Sequence, residues 1–405
     1  MKTSSRLRSL PGATAVVKTV ALTSVTVSPT FLMGSLVVQM RHDIALAPAA
    51  IGLGAAIMFG TGGVLAPLCG RLVQRIGPKR GMLFAASTSA FALAGIAAAP
   101  NFLWLALCLV VAGTGNALGQ PASNMALSES VPFRRLGVAM GVKQASIPTA
   151  SLLGGLAVPA VALVFGWRWA FVLAAVLALL VAAWGVGDRI QQPTGPRTPA
   201  AIDPPSSRRA MALLTAGGAV AAASATSLGI FLVDSAVSSG ISPSHAGVLF
   251  AGAALMGLVS RIGAGFFLDR RPYYSPYSLA CQFLLVGSVG FLVLAVGQPW
   301  AVMAGAVFAY GAGWAWPGVL TYGVMRDRLS SVGTSTGTLQ VGLSLGAAAG
   351  PLAFGILAQV SSYRISWLVA GLGLAASAAI ISRGHAAESR IRKRRPVADL
   401  DSISE

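Results

Sequence analysis

The chain has 405 residues, of which 55% are apolar and only 10% charged, with 48 glycines and a mean hydropathy of +0.75. A water-soluble domain carries roughly 25% charged residues, so this chain cannot cover a soluble surface and must be solvated by lipid. The formal charge of +18, which in a soluble chain would point to nucleic acid, therefore has to be read by position.

The apolar runs are each about 20 residues long, the length a helix needs to cross a hydrocarbon core about 30 Å thick. A membrane barrel would need short alternating segments instead. A basic beginning (Lys2, Arg6, Arg8) leads into a run that holds Lys18 and has no small-residue cleavage site, so the first predicted span is 18–40 rather than a signal peptide. Arg41, His42 and Asp43 turn the chain into a second span, 46–68, and a basic stretch, 70–80, separates it from the third, 81–99. After Pro100 and Asn101 comes the fourth, 102–124, then a loop with Glu129, Arg134 and Arg135, and the spans 138–160 and 167–187. The segment 188–210 is the long polar interruption, with Pro193, Pro196, Pro199, Pro204 and Pro205, and reads as a solvated linker. Six more spans follow at 211–233, 245–268, 277–297, 300–322, 333–359 and 365–381, and then a basic tail, 383–405, expected to be disordered. The expected organisation is thus 1–187 and 211–382 as two six-helix units, joined by 188–210 and followed by 383–405.

Placing the termini, the linker, the tail and the even-to-odd loops on one side collects all but six of the 29 Lys and Arg there. Arg41, Arg168 and Arg364 fall on the other side, and Lys18, Lys143 and Arg261 fall inside spans. The positive-inside rule then puts both termini in the cytoplasm, and an odd number of spans would break the partition. Gly137, Gly141, Gln144 and Gly154 recur at one constant offset, nearly half the chain, as Gly333, Gly337, Gln340 and Gly350. Pro121 returns as Pro317 and Arg168 as Arg364 at the same offset. A shared offset that includes Gln, Pro and Arg points to duplication, and two parallel six-helix bundles leave a cavity that can open alternately to each side.

The stretch 70–80 carries Gly70, Arg75, Gly77, Lys79 and Arg80, and Gly265, Asp269 and Arg270 echo it. With these residues the chain resembles the major facilitator superfamily over essentially its whole length, whose loop between helices 2 and 3 has the form Gly-x-x-x-Asp-Arg-x-Gly-Arg-Lys/Arg. Gln74 stands where that pattern has the acid and Pro78 where it has a base, and the second copy departs at Arg271 and Pro272. The resemblance implies an all-α membrane protein, twelve helices in two pseudo-symmetric six-helix bundles, with gating contacts at Arg75, Asp269 and Arg270. Independently of any family, the cations Arg71, Arg75, Lys79 and Arg80 cannot enter hydrocarbon and fix orientation.

Charges inside spans are the main functional leads, because burying one is costly unless it is paired or faces water. Lys143 and Arg261 each lie about 12 Å inward from their nearest basic or acidic markers, Arg135 and Asp269. The resemblance places helices 5 and 8 face to face, so the two cations could converge on an anion, without which they would repel. Snorkelling is the competing reading for both. The candidate substrate residues are Lys143, Arg261, Asn116, Gln120, Gln144, Tyr310, Trp314 and Gln340. Ser24, Thr26, Ser28, Thr30, Ser224, Thr226 and Ser227 add polarity to helices 1 and 7, although such hydroxyls often satisfy only helix backbone.

No Walker loop is present, no cofactor is implied, and the histidines at 42, 245 and 385 and the cysteines at 69, 108 and 281 form no metal-ligand pattern. The chain reads as a permease, not an enzyme, in the cell inner membrane: a monomer moving a small organic anion such as a monocarboxylate by alternating access, with proton symport or anion exchange. The absence of a mid-membrane carboxylate weakens a carboxylate relay. The rival is efflux of amphipathic or cationic compounds, favoured if Lys143 faces lipid or is paired.

Overall fold

The computed structural model describes residues 13–131, 139, 141–186, 205–271, 273–328 and 332–394. Most of the linker 188–210, the end of the tail from 395, Lys2, Arg6, Arg8, Arg134, Arg135, Gly137, Val138, Met140 and Pro272 lie outside the described residues. Among those described, the structure is all helix: α1 (Ala13–Met40), α2 (Pro48–Ile76), α3 (Pro78–Ala97), α4 (Phe102–Ser130), α5 (Gly141–Phe165), α6 (Trp167–Val186), α7 (Pro205–Ser238), α8 (Pro243–Arg270), α9 (Pro276–Leu294), a broken α10 (Pro299–Gly311 and Trp316–Asp327), α11 (Val332–Val360) and α12 (Tyr363–Arg394). Eleven are long and apolar enough to cross a membrane unbroken, and the two pieces of α10 make the twelfth crossing.

Their starts follow local chemistry. Proline occupies the first turn of α2, α3, α8, α9 and α10, where a missing N–H costs nothing. Asn101 caps α4 by accepting from Trp104 N at 3.0 Å, and Ser242 and Ser275 cap α8 and α9 in the same way.

Three departures from the predicted elements have physical causes. The basic stretch 70–80 is not an extended loop: α2 continues through Arg75 to Ile76, Gly77 turns at φ +84, a conformation that penalises any side chain, and α3 begins at Pro78. α10 is interrupted at 312–315, just before Pro317, which has no N–H to continue the preceding turn. The tail predicted to be disordered from 383 is helical to Arg394, held by an Arg328–Glu388 ion pair at 2.8 Å and by stacking of His385 on Tyr277 at 4.8 Å.

α1 and α7 sit at the centre and are the most deeply buried of the spanning helices. α1 packs on α3, α4, α5 and α6 and meets α7, which in turn packs on α11 and α12. Peripheral helices show lipid stripes instead: Trp169, Leu173, Val176, Leu180 and Trp184 recur at helical spacing on the exposed side of α6. The duplication is visible in equivalent bonds. Arg168 Nη2 donates to Ala99 O at 3.4 Å, and at the same offset Arg364 Nε donates to Ala295 O at 3.2 Å.

The two sets of six helices meet along α2–α11, α5–α8 and α1–α7. Their close approaches cluster toward the face opposite the termini. A Cβ on Gly34 of α1 would lie 2.6 Å from Ile230 O of α7, and one on Gly155 of α5 the same distance from Gly247 O of α8. Small residues let backbones approach where lipid offers no hydrophobic drive. Nearer the face that carries the termini, Gly70, Gly141, Gly265 and Gly337 have open space around them. The tightest backbone approaches between the halves thus lie toward the opposite face.

Candidate functional site

The sequence-selected residues gather into two clusters joined by the neighbours Lys143 and Gln144 on α5. In the first, Lys143 is buried and its Nζ donates to Gln120 Oε1 at 2.9 Å and Asn124 Oδ1 at 2.6 Å, both on α4. Gln120 Nε2 in turn donates to Asn116 Oδ1 at 3.4 Å, one turn earlier. The ammonium is thus solvated by neutral amides, which replace water as acceptors for a group that cannot stay bare in a dry interior.

In the second cluster Arg261 of α8, also buried, donates from Nε to Trp314 O at 2.8 Å and from Nη1 to Gln144 O, and its guanidinium lies 5.8 Å from the Trp314 ring centroid. The α10 break makes this possible, since Trp314 sits within it and its carbonyl is turned to the side. Arg261 Nη2 is buried without a hydrogen-bond partner. The Trp314 ring meets Phe31 at 5.5 Å and Tyr310 at 5.1 Å, and Tyr310 OH donates to Ser151 Oγ at 3.3 Å. An aromatic wall is therefore built from α1 and α10 beside Arg261.

Beside Arg261 a cleft with about 430 Å³ of empty space, part of it open to solvent, is bounded by Gln144, Gly265, Asp269, Gly318, Val319 and Tyr322. Most of its walls are small or apolar, Gln144, Arg261 and Tyr322 add polar side chains, and Asp269 is the one carboxylate among the lining residues.

Lys143 and Arg261 do not converge on a shared point: one turns to α4, the other to α10 and the α5 backbone. Gln340 is exposed on α11 and joins neither cluster. Arg75, Asp269 and Arg270 are exposed and form no ion pair among the described residues. Most hydroxyls of α1 and α7 satisfy backbone: Thr26 on Thr23 O, Ser28 on Ser24 O, Ser227 on Ala223 O. Ser24 instead reaches across to Ser146 O of α5 at 3.1 Å. Among the described residues no group of three or more His, Cys, Asp and Glu could hold a metal ion.

Sequence reasoning missed the charge contacts at the opposite face. Arg41 binds Asp234 through two hydrogen bonds, and Asp43 accepts from Arg168 and, at 3.0 Å, from Trp167 Nε1. The signal was available: that face holds few cations and few acids, which makes pairing the economical arrangement. Asp43 lies in a turn, and its hydrogen bonds from Arg168 and Trp167 hold the carboxyl below the usual range.

Comparison with known proteins agrees with this architecture. A crystal structure of a bacterial homologue of the human lysosomal transporter Spinster, in an inward-facing and occupied conformation, superposes with a TM-score of 0.67 at 15% identity, covering 95% of this chain and 97% of that one. Its inward-facing and unoccupied form gives 0.61 at 16% identity, over 93% and 96% of the two chains. An uncharacterized MFS-type transporter of Mycobacterium tuberculosis is 30% identical over 161 residues, 38% of this chain, and the match spans only 28% of that relative's length. A family model described as Major Facilitator Superfamily matches residues 19–340. The twelve-helix bundle, the duplicated basic motif and this match over most of the chain together make it a member of the Major Facilitator Superfamily, a bilayer-embedded secondary transporter of small molecules.

Proposed function

We propose that this transporter exports amphipathic compounds, cationic ones included, by alternating access. The observation that carries the reading is the engagement of Lys143: its ammonium is satisfied by Gln120 and Asn124 and is not presented to a small anion. The cleft offers a substrate small and apolar groups with the Tyr322 ring, the Arg261 guanidinium and the Asp269 carboxylate, and apolar area is what recognises an amphipathic molecule.

A second reading, transport of an organic anion by proton symport or anion exchange, is favoured by one observation, the unpartnered Nη2 of Arg261. Proteoliposomes under an imposed pH gradient separate the two. Accumulation of tetraphenylphosphonium or ethidium with no movement of lactate supports amphipathic export. Lactate uptake that Arg261→Lys abolishes, with no cation movement, overturns it.

We place the protein in the cell inner membrane as a monomer with both termini cytoplasmic, on the basic residues that crowd the terminal face. On that orientation the closed opposite face makes the conformation inward-facing. We divide the chain into 1–187, 188–210, 211–382 and 383–405, with the correction that α7 reaches back to Pro205 within the linker and α12 continues to Arg394 within the tail.

A further inference from the structure

Where α12 leaves its apolar span at the terminal face, a crevice opens between it and the start of α9, with about 420 Å³ of empty space, part of it open to the surroundings. Tyr277, Ser278 and Cys281 of α9 line one side, and Ser382 and His385 of α12 the other. The rings of Tyr277 and His385 stack with centroids 4.8 Å apart, and His385 Nε2 shares a hydrogen bond with Ser275 Oγ at 3.3 Å. His385 Nδ1 is buried without a hydrogen-bond partner. The Cys281 thiol is engaged by Ala378 O at 3.4 Å, whereas Ser278 and Ser382 are exposed. The crevice therefore combines an aromatic interior, one unused polar atom and a hydroxyl-bearing rim.

Beyond Ser382 the exposed residues of α12 include Arg383, Ala386 and Arg390, whose spacing of three and four places them on one helix face. Charge is sorted across this extension. Glu388, the only acid between 382 and 394, turns to Arg328 at 2.8 Å, while Arg383 and Arg390 form no ion pair among the described residues. Arg383 lies two residues past the apolar span 365–381, and Arg390 stands about 10 Å further along the helix. The headgroup layer on each side of a bilayer is roughly 5–7 Å thick, so both guanidinium groups are within reach of its phosphates.

We propose that the crevice between α9 and α12 is a binding site for one anionic phospholipid, with its phosphate on Arg383 and Arg390 and its glycerol end in the crevice. A guanidinium matches phosphate oxygens with two donors at once, and two unbalanced cations on one face gain most from a ligand of net negative charge. A zwitterionic lipid brings its own cation to the same patch and gains less. A soluble anion such as an acidic peptide would use the arginines and leave the aromatic interior empty. The lipid adds a third tie between the α12 extension and the bundle, beside the Arg328–Glu388 pair and the His385–Tyr277 stack.

Lipid retention is read without transport, so this site stands or falls independently of which compound is exported. The full-length protein is released from mixed micelles holding phosphatidylglycerol and phosphatidylcholine with the same acyl chains, and the lipids it keeps are counted by native mass spectrometry. Arg383→Gln with Arg390→Gln is expected to weaken phosphatidylglycerol retention by about tenfold or more. The charge-matched pair Arg71→Gln with Arg80→Gln should leave it unchanged. Ser278→Trp, which fills the rim and keeps every arginine, should weaken it to a similar extent and tests the crevice alone should the glutamine variant fold poorly. Equal losses in the two charge-matched variants would make the attraction a diffuse field and overturn the site. Full retention by Ser278→Trp overturns the crevice. Retention of polyglutamate in preference to phosphatidylglycerol assigns the arginines to a soluble partner and overturns the lipid.

Discussion

At the scale of single residues, the ammonium of Lys143 and the amides of Gln120 and Asn124 act as one unit. A lysine in an apolar run is conspicuous because it is costly there, and Lys143 is indeed buried. That its acceptors are Gln120 and Asn124 depends on how α4 and α5 are rotated about their axes, and helices so uniformly apolar carry no polar face from which rotation can be read. For the same reason Asn116 and Gln120 read from the sequence as substrate contacts rather than as part of the network around Lys143. The geometry makes a quantitative claim about the pair. Lys143 is the buried member of the group, while Gln120 is half-buried and Asn124 exposed, so removing Asn124 leaves the buried ammonium with Gln120 alone, a loss of about 1–3 kcal/mol, whereas the amides freed by removing the ammonium can turn to water. In a double-mutant cycle of Lys143→Ala and Asn124→Ala, followed by thermal unfolding in detergent, the two effects should fall short of additivity by about 1 kcal/mol or more. Additive losses would mean that the hydrogen bond at 2.6 Å carries no energy of its own.

At the scale of elements, hydropathy located every crossing, and the errors lie where polar residues continue a helix or apolar ones fail to. α2 runs beyond its apolar segment through Gly70, Arg71 and Arg75, because a helix that has left the hydrocarbon still satisfies its own backbone. Gly77 then makes the turn, and its positive φ should make Gly77→Ala cost about 1–2 kcal/mol, read as a fall in melting temperature, with the neighbouring Arg75→Ala nearly silent. The opposite error occurred in α10, where a single apolar run hides a break. Isolated Pro and Gly are tolerated in membrane helices, so the run 300–322 gave no reason to prefer an interruption; α4 carries Pro121 at the equivalent position and stays continuous. What distinguishes α10 is its packing: the chain at Gly313 lies against Gly287 of α9 with no room for a side chain on either. Because the break turns Trp314 O toward Arg261, Pro317→Ala should let the helix close over that carbonyl. Transport should then fall by about tenfold with the melting temperature unchanged or raised, the pattern expected when a functional break is traded for a regular helix. A parallel loss of folding would assign Pro317 to structure alone.

At the scale of the molecule, the repeat did more than the family motif to make the architecture legible, since the matched Arg168 and Arg364 proved to cap equivalent carbonyls in the two halves. The conformation was out of reach, because one sequence serves every state of an alternating-access cycle and only the contacts between halves distinguish them. Those contacts give the strongest prediction at this scale. On α5 a Cβ built on Gly155 would lie 2.6 Å from Gly247 O and 2.7 Å from Ala251 N on α8, closer than side-chain contacts allow. Gly155→Ala must therefore part α5 and α8 near the opposite face and weaken this conformation against the one that is open there. With Cys69, Cys108 and Cys281 first replaced by Ser, a maleimide reagent should label a cysteine placed at Gly141, beside the cleft, more slowly in the Gly155→Ala protein than in its parent, and net transport should fall. Equal labelling would mean that α5 and α8 do not separate here, and that the opening motion must run through α1–α7 and α2–α11 alone.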